Sequence, residues 1–189
     1  MRIGVVGDTN NQMTNVETIV ELFRTARIER LIHTGDITQP GVIERFARLD
    51  VPMLGVFGNN DQADRERLAA EATRLGMDLG DPPRTIEWAG RRILVVHDPE
   101  ESHHSHPDDA SRDTSDPSDT SGGWRDQPPR IDPEPSHDLV LHGHTHRHRL
   151  ERRGGTLIFN PGECAGFMSG RNAVGLVDLV SLQAELLRF

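Results

Sequence analysis

Hydrophobic positions follow two regimes along the chain. In the first, short apolar runs alternate with stretches of helical periodicity. Residues 2–7 (RIGVVG) are followed by Val16, Ile19, Val20, Phe23 and Ala26 at helical spacing, with Thr14 and Glu17 placed as a capping box. Residues 30–34 (RLIHT) repeat the run and lead to Pro40 near the start of a helix carrying Val42, Ile43, Phe46 and Ala47. Residues 51–57 are the third run. Asp61 is placed to cap the helix that follows, which buries Leu68, Ala69, Ala72 and Leu75 and stops at Gly76. Three successive strand-to-helix units predict a largely parallel sheet with right-handed crossovers.

Beyond Gly76 the period changes. Residues 85–88 and 91–96 flank Ala89-Gly90 as a hairpin, and 139–141, 156–159 and 173–180 read as further strands. Strands without helices predict a second sheet packed on the first. No tandem repeat is visible.

Composition isolates one segment. Residues 98–138 hold three apolar residues (Ala110, Trp124, Ile131), seven of the 12 prolines and seven serines. They also carry 12 acids against three arginines, a net of −9, which equals the formal charge of the whole chain. The remaining 148 residues are therefore neutral, with 18 acids and 18 arginines. Such a segment cannot offset an ordering cost of about 1–2 kcal/mol per residue. It reads as a disordered or flexible acidic insert at 98–138 inside a single domain spanning 1–189.

Several function classes drop out. No run approaches the ~18 apolar residues that span a bilayer. The start of the chain enters a strand directly, so a cytoplasmic protein without membrane partners is expected. A single cysteine, Cys164, excludes an internal disulfide and a cysteine zinc site. A neutral body with an acidic insert offers no basic stripe for nucleic acid. Every basic residue is arginine.

The chemistry gathers where strands end, the edge at which open α/β sheets bind ligands. Asp8, Asn10, Asp36, Asn59, Asn60, His97, His144 and His146 all follow apolar runs. Short oxygen and imidazole donors at five strand ends suit a two-metal site, in which one carboxylate bridges cations about 3.5–4 Å apart. Two divalent ions against two aspartates leave positive charge for an anionic phosphoester. The donor mix suits manganese, with iron, zinc or nickel as alternatives.

Gly7-Asp8-x-Asn10, Gly35-Asp36, Gly58-Asn59-Asn60-Asp61, His97 and Gly143-His144-Thr145-His146 occur in an order and spacing that resemble the calcineurin-like metallophosphoesterases. Asn160-Pro161-Gly162 is similar to their small single-domain phosphodiesterase branch. The resemblance implies a four-layer α/β/β/α sandwich of two mixed sheets flanked by helices. It also implies hydrolysis of a small phosphodiester by a metal-bridging hydroxide. By position, Asp8, Asp36 and His146 would hold metal one, and Asp36, Asn59, His97 and His144 metal two, with Asp36 bridging.

Three positions depart from the family. Asn10 stands where an imidazole is usual and makes a weaker ligand. Asn60 occupies the catalytic position at which many relatives place a histidine, and an amide cannot protonate a leaving group. Asp98-Pro99 replaces Gly-His after His97.

Other residues read as bland. His33 and His142 lie within apolar strands as structural residues, and His148 points to solvent. His103, His104 and His106 are solvated in the insert, where Trp124 is either a docking point or simply exposed. Cys164 is a small packing residue. The alternative function is a catalytically weakened member of the fold that serves as a protein-interaction module, favoured by Asn10 and Asn60.

Overall fold

The structure, a computed structural model, describes residues 1–100, 137–167 and 171–189. The alternating apolar runs form strands β1 (Arg2–Val6), β2 (Arg30–His33) and β3 (Met53–Val56), parallel to one another. They are joined through helices α1 (Met13–Ala26) and α2 (Pro40–Ala47). A 3-10 turn over Asn59–Asp64 leads into α3 (Arg65–Arg74), and β4 (Asp78–Gly80) adds a fourth parallel strand beside β3. β5 (Arg84–Trp88) and β6 (Arg91–Val95) make the expected hairpin. β7 (Leu139–Leu141) and β9 (Thr156–Asn160) run parallel to β6, and β8 (Arg149–Arg153) pairs antiparallel with β9.

The last two strands correct the expected partition. β10 (Ala173–Asp178) pairs antiparallel with β1, and β11 (Gln183–Arg188) pairs with β10. The first sheet is thus six-stranded, β11-β10-β1-β2-β3-β4, and the second five-stranded, β5-β6-β7-β9-β8. Burial explains the placement: Val174 and Leu176 join the helix-side core, while Val177 faces the other sheet. A strand apolar on both faces belongs inside a covered sheet.

Ile3, Val5, Ile32 and Val56 of the first sheet pack against Ile93, Val95, Leu141 and Phe159 of the second. On the opposite face of the first sheet, Ile19 and Phe23 of α1, Ile43 and Phe46 of α2 and Leu68 of α3 close a second core over Leu31 and Met53. Burying each such side chain contributes about 1.5–3 kcal/mol. The result is the expected α/β class, two mixed sheets with flanking helices. This packing aligns the carboxyl ends of β1, β2, β3, β6 and β7 along one rim.

Two local readings are overturned. α1 starts at Met13 behind Gln12, with no side-chain cap, so Thr14 and Glu17 form no capping box. The preceding loop supplies the bonds instead: the Gln12 N–H donates to the Thr9 carbonyl and the Met13 N–H to the Asn11 carbonyl. Glu17 is drawn to Arg45 and Arg48. Asp61 lies within the 3-10 turn rather than capping α3, whose first residue is Arg65.

Residues 101–136, with His103, His104, His106 and Trp124, lie outside the described residues. The far edge of the expected insert is tied to the second sheet. The Asp138 N–H donates to the Arg92 carbonyl (2.9 Å), and its carboxylate accepts from the Arg92 N–H (2.9 Å) and Arg91 Nη1 (3.1 Å).

Candidate metal centre

The rim collects the polar residues in turns that few side chains tolerate. Asp8, Asn10, Asp36, His144 and His146 all adopt left-handed backbone, with φ of 54°, 43°, 59°, 63° and 55°. Non-glycine residues there carry strain of about 1–3 kcal/mol each, and such strain gathers at functional sites. The glycines before them have a steric cause. A Cβ at Gly58 would stand 2.2 Å from Asp36 Oδ1, and one at Gly35 (φ 105°) would stand 2.5 Å from His97 Nδ1.

Two carboxylates are sunk in this rim. Asp8 and Asp36 are 0% and 1% exposed. Asp8 Oδ1 accepts from the His144 N–H (3.3 Å) and lies 3.6 Å from His146 Nε2. Its Oδ2 is buried without a donor among the described residues. Burial pushes the Asp8 carboxyl up to about 6; His97 and His146 oppose the rise, and the Asp36 charge adds to it. Asp36 Oδ1 accepts from the Asn60 N–H (3.0 Å) and Oδ2 from Asn60 Nδ2 (2.7 Å). Ligand atoms of Asp8, Asp36 and His146 lie within 4.8 Å of one another.

The imidazoles are aimed from behind. His97 Nδ1 lies 2.8 Å from the Thr34 carbonyl, which can only accept, so that nitrogen carries the proton. Its Nε2 lies 2.9 Å from Asn59 Oδ1 and 3.5 Å from Asp36 Oδ1. His146 Nδ1 is held the same way, 2.8 Å from Glu163 Oε2, leaving Nε2 toward Asp8. Such carboxylate and carbonyl partners fix ligand tautomers in metal sites. His144 Nδ1 lies 3.0 Å from Asn59 Oδ1, and its Nε2 lies 3.6 Å from Asp98 Oδ2.

These contacts meet the test for a cation. Ring nitrogens converge on one amide oxygen, a carboxylate oxygen is buried without a donor among the described residues, and the ligand set is oxygen and imidazole. A positive charge among them would satisfy all three at once.

Asp8, Asp36, Asn59, Asn60, His97, His144 and His146 therefore come together. Asn10 enters only through its backbone, whose N–H donates to the Asp36 carbonyl at 3.0 Å. His33 and His142 are buried beneath the site. Burial drives His33 down to about 3 and His142 to about 4. His33 Nδ1 accepts from the Gly35 N–H (3.2 Å), its Nε2 meets Thr9 Oγ1 (3.3 Å), and that hydroxyl donates to the Asp36 carbonyl (3.1 Å). His148 is exposed, and the Cys164 thiol is buried on the Gly7 carbonyl at 3.2 Å.

Two further residues support the site in roles the sequence does not assign them. Asp61 is buried and accepts backbone N–H groups from Gly58 (2.7 Å), Asp36 (3.0 Å) and Thr38 (2.7 Å), tying the second and third strand-end loops together. Glu163 is buried behind His146 and also accepts the Phe167 N–H at 3.1 Å. Asp61 had a signal in its Gly-Asn-Asn-Asp turn, and Glu163 followed Asn160-Pro161-Gly162. The Asn160 amide in turn braces the histidine loop by donating to the Gly143 carbonyl at 2.9 Å.

A cavity of about 410 Å³ opens beside the centre, lined by Phe57, Asn59, Arg65, His97, Asp98 and His144. Among the described residues no helix is long and apolar enough to cross a membrane.

Comparison with known proteins agrees with this geometry. The chain is 26% identical over 179 residues to a phosphodiesterase of Methanocaldococcus jannaschii, covering 94% of this chain and 93% of that protein. The structure of an archaeal phosphodiesterase superposes with a TM-score of 0.76 at 25% identity, over the whole of both chains. The phosphoesterase YfcE of E. coli shares the fold, with a TM-score of 0.63 at 18% identity over 99% of this chain and 98% of that one. So does Vps29 of Chaetomium thermophilum, at 0.60 and 13%, over 100% and 94%. The sequence model of the calcineurin-like phosphoesterase superfamily domain matches residues 1–181. The chain belongs to that superfamily.

Proposed function

We propose that the protein hydrolyses small phosphodiesters at a centre of two divalent cations. Asp8, Asp36 and His146 would hold one ion, with Asn10 beside it, and Asp36, Asn59, His97 and His144 the other. The observation that carries this reading is the convergence of donors: His97 Nε2 and His144 Nδ1 lie 2.9 and 3.0 Å from one amide oxygen of Asn59, beside the Asp8, Asp36 and His146 cluster. When bound, the ions supply Lewis acidity and charge neutralisation for phosphoryl transfer. Manganese fits the mixture of oxygen and imidazole donors. The likeness to a phosphodiesterase along nearly the whole chain supports the ester class.

The chain's own residues do the positioning. The Thr34 carbonyl and the Glu163 carboxylate hold the Nδ1 protons of His97 and His146, so each presents Nε2. Asn60 orients the Asp36 carboxylate through its backbone and its side chain. It has no titratable proton to give a departing alkoxide, so esters of acidic alcohols are the substrates of choice for a test.

That test is hydrolysis of bis(p-nitrophenyl) phosphate with added manganese. Manganese-dependent release of nitrophenolate is expected, falling by about 10³-fold or more in Asp36→Asn while the fold persists. Absence of hydrolysis of any phosphoester by wild-type protein carrying both ions would overturn the reading. One observation favours a second reading as an interaction module: the Asn60 amide already occupies Asp36 Oδ2 at 2.7 Å. A purified protein that takes up no metal would support that module.

A further inference from the structure

We propose that the arginine-lined pocket beside His146 is an anion subsite, selecting phosphoesters whose esterified group carries a second anionic group. This deepens the phosphodiesterase reading by naming a substrate class.

The candidate centre opens into two cavities of opposite character. The larger, about 410 Å³, meets Asn59, His97 and His144 and carries one cation, Arg65, against two acids, Asp81 and Asp98. Arg65 is already committed, since its guanidinium lies 4.2 Å over the Phe57 ring and pairs with Asp81. The smaller, about 220 Å³, shares His146 with the centre and is lined by Arg147, Arg171 and Arg188. Glu163, the only acid among its described lining residues, is buried against His146 and serves to orient that ring.

The guanidinium groups of Arg147 and Arg188 have no carboxylate partner among the described residues. Arg24, Arg45, Arg74, Arg84 and Arg91, by contrast, sit in ion pairs. Arg147 and Arg188 bring two like charges to one small pocket, and a bound anion relieves their repulsion. Guanidinium forks match the oxygens of a phosphate or carboxylate. A phosphorus held at the Asp8–Asp36 cluster would lie between the two cavities. Its anionic arm would then enter on the His146 side and its other arm on the His97 side.

Calorimetry on the manganese-loaded full chain tests this with thymidine 3′,5′-bisphosphate and thymidine 5′-monophosphate. The bisphosphate is expected to bind about 10-fold tighter, equivalent to about 1.4 kcal/mol. The preference is expected to fall below about 3-fold in the double variant Arg147→Ser/Arg188→Ser and to shrink with added salt. It should persist in Arg27→Ser, which removes the same kind of charge elsewhere. Equal affinities in wild type, or a preference that survives the double variant, would overturn the subsite. Tighter binding of a single-stranded oligothymidylate than of the bisphosphate would overturn the small-ester assignment. Parallel hydrolysis of bis(p-nitrophenyl) phosphate separates the two readings. Hydrolysis without bisphosphate preference overturns the subsite alone, whereas preference without hydrolysis supports the subsite and overturns the phosphodiesterase.

Discussion

The two sheets contribute to the rim in different ways. The first supplies its charged groups from the base of the rim: Asp8 and Asp36 are 0% and 1% exposed and held by backbone N–H groups. The second supplies imidazoles whose side chains range from 2% exposed for His97 to 18% for His146 and 41% for His144. The carboxylates have little freedom to move, whereas two of the three imidazoles ride on one loop after β7. Charge is therefore fixed by the first sheet, and the second adjusts the grip. Disturbing the first sheet's loops should damage the fold and the site together; disturbing the second's should change affinity with the fold intact.

The largest expected effect strikes the brace between the first sheet's loops. Asp61→Ala leaves three buried N–H groups, of Gly58, Asp36 and Thr38, without their acceptor. At about 1–3 kcal/mol for each unsatisfied group, the loss should be at least about 3 kcal/mol, read as a lowered midpoint in urea unfolding. A midpoint unchanged from wild type would show that these loops do not depend on Asp61.

On the second sheet's side, Glu163→Gln keeps the shape but weakens the partner of His146 Nδ1. Manganese affinity should fall about 10- to 100-fold with unfolding unchanged, as loss of a supporting carboxylate does elsewhere. An unfolding midpoint that drops as far as in Asp61→Ala would erase the distinction between the sheets.

Asn10 sharpens the same contrast from the opposite direction. Replacing its amide by imidazole, Asn10→His, should tighten the ion held by Asp8, Asp36 and His146 by about 10-fold, a gain of about 1.4 kcal/mol. Activity at limiting manganese should rise while activity at saturation changes less. Two equal binding phases in wild type would show that the ion beside Asn10 is not the weaker one.

The smallest effect comes from His33, whose buried ring supports the first sheet's loops. Burial holds its folded pKa at about 3, below the ordinary value of 6.5, so below about pH 6.5 the unfolded chain binds a proton the folded chain refuses. Stability contributed by neutral His33 is present above that pH and is lost as pH falls toward 3. The slope approaches about 1.4 kcal/mol per pH unit, or about 1 kcal/mol between pH 6.5 and 5.5. A His33→Gln variant should lack this part of the slope in urea unfolding.

How much of this was legible in the sequence depended on whether the cause was local. The three strand-to-helix units could be read from periodicity, and the rim residues from their position after each apolar run. β4 was missed because three residues, Asp78–Gly80, carry no period. β8 and β11 were missed because RLERR and QAELLR are polar edge strands in which pairing outweighs composition. The attachment of β10 to β1 depends on which cores flank it, a tertiary fact. Asp61 read as a helix cap because its acceptors serve a turn three residues away and a loop 25 residues away. Glu163 gave no local signal of its own, since the ring it orients is a histidine 17 residues earlier in the chain.

The central claim is a centre for two ions shared through Asp36, and counting metal tests it most directly. Manganese retained by the full chain after equilibrium dialysis should approach about two ions per chain in wild type and fall close to none in Asp36→Asn, since a carboxylate shared by both ions would be lost to both. Wild-type protein that retains no manganese, or a variant that keeps both ions, would contradict the account.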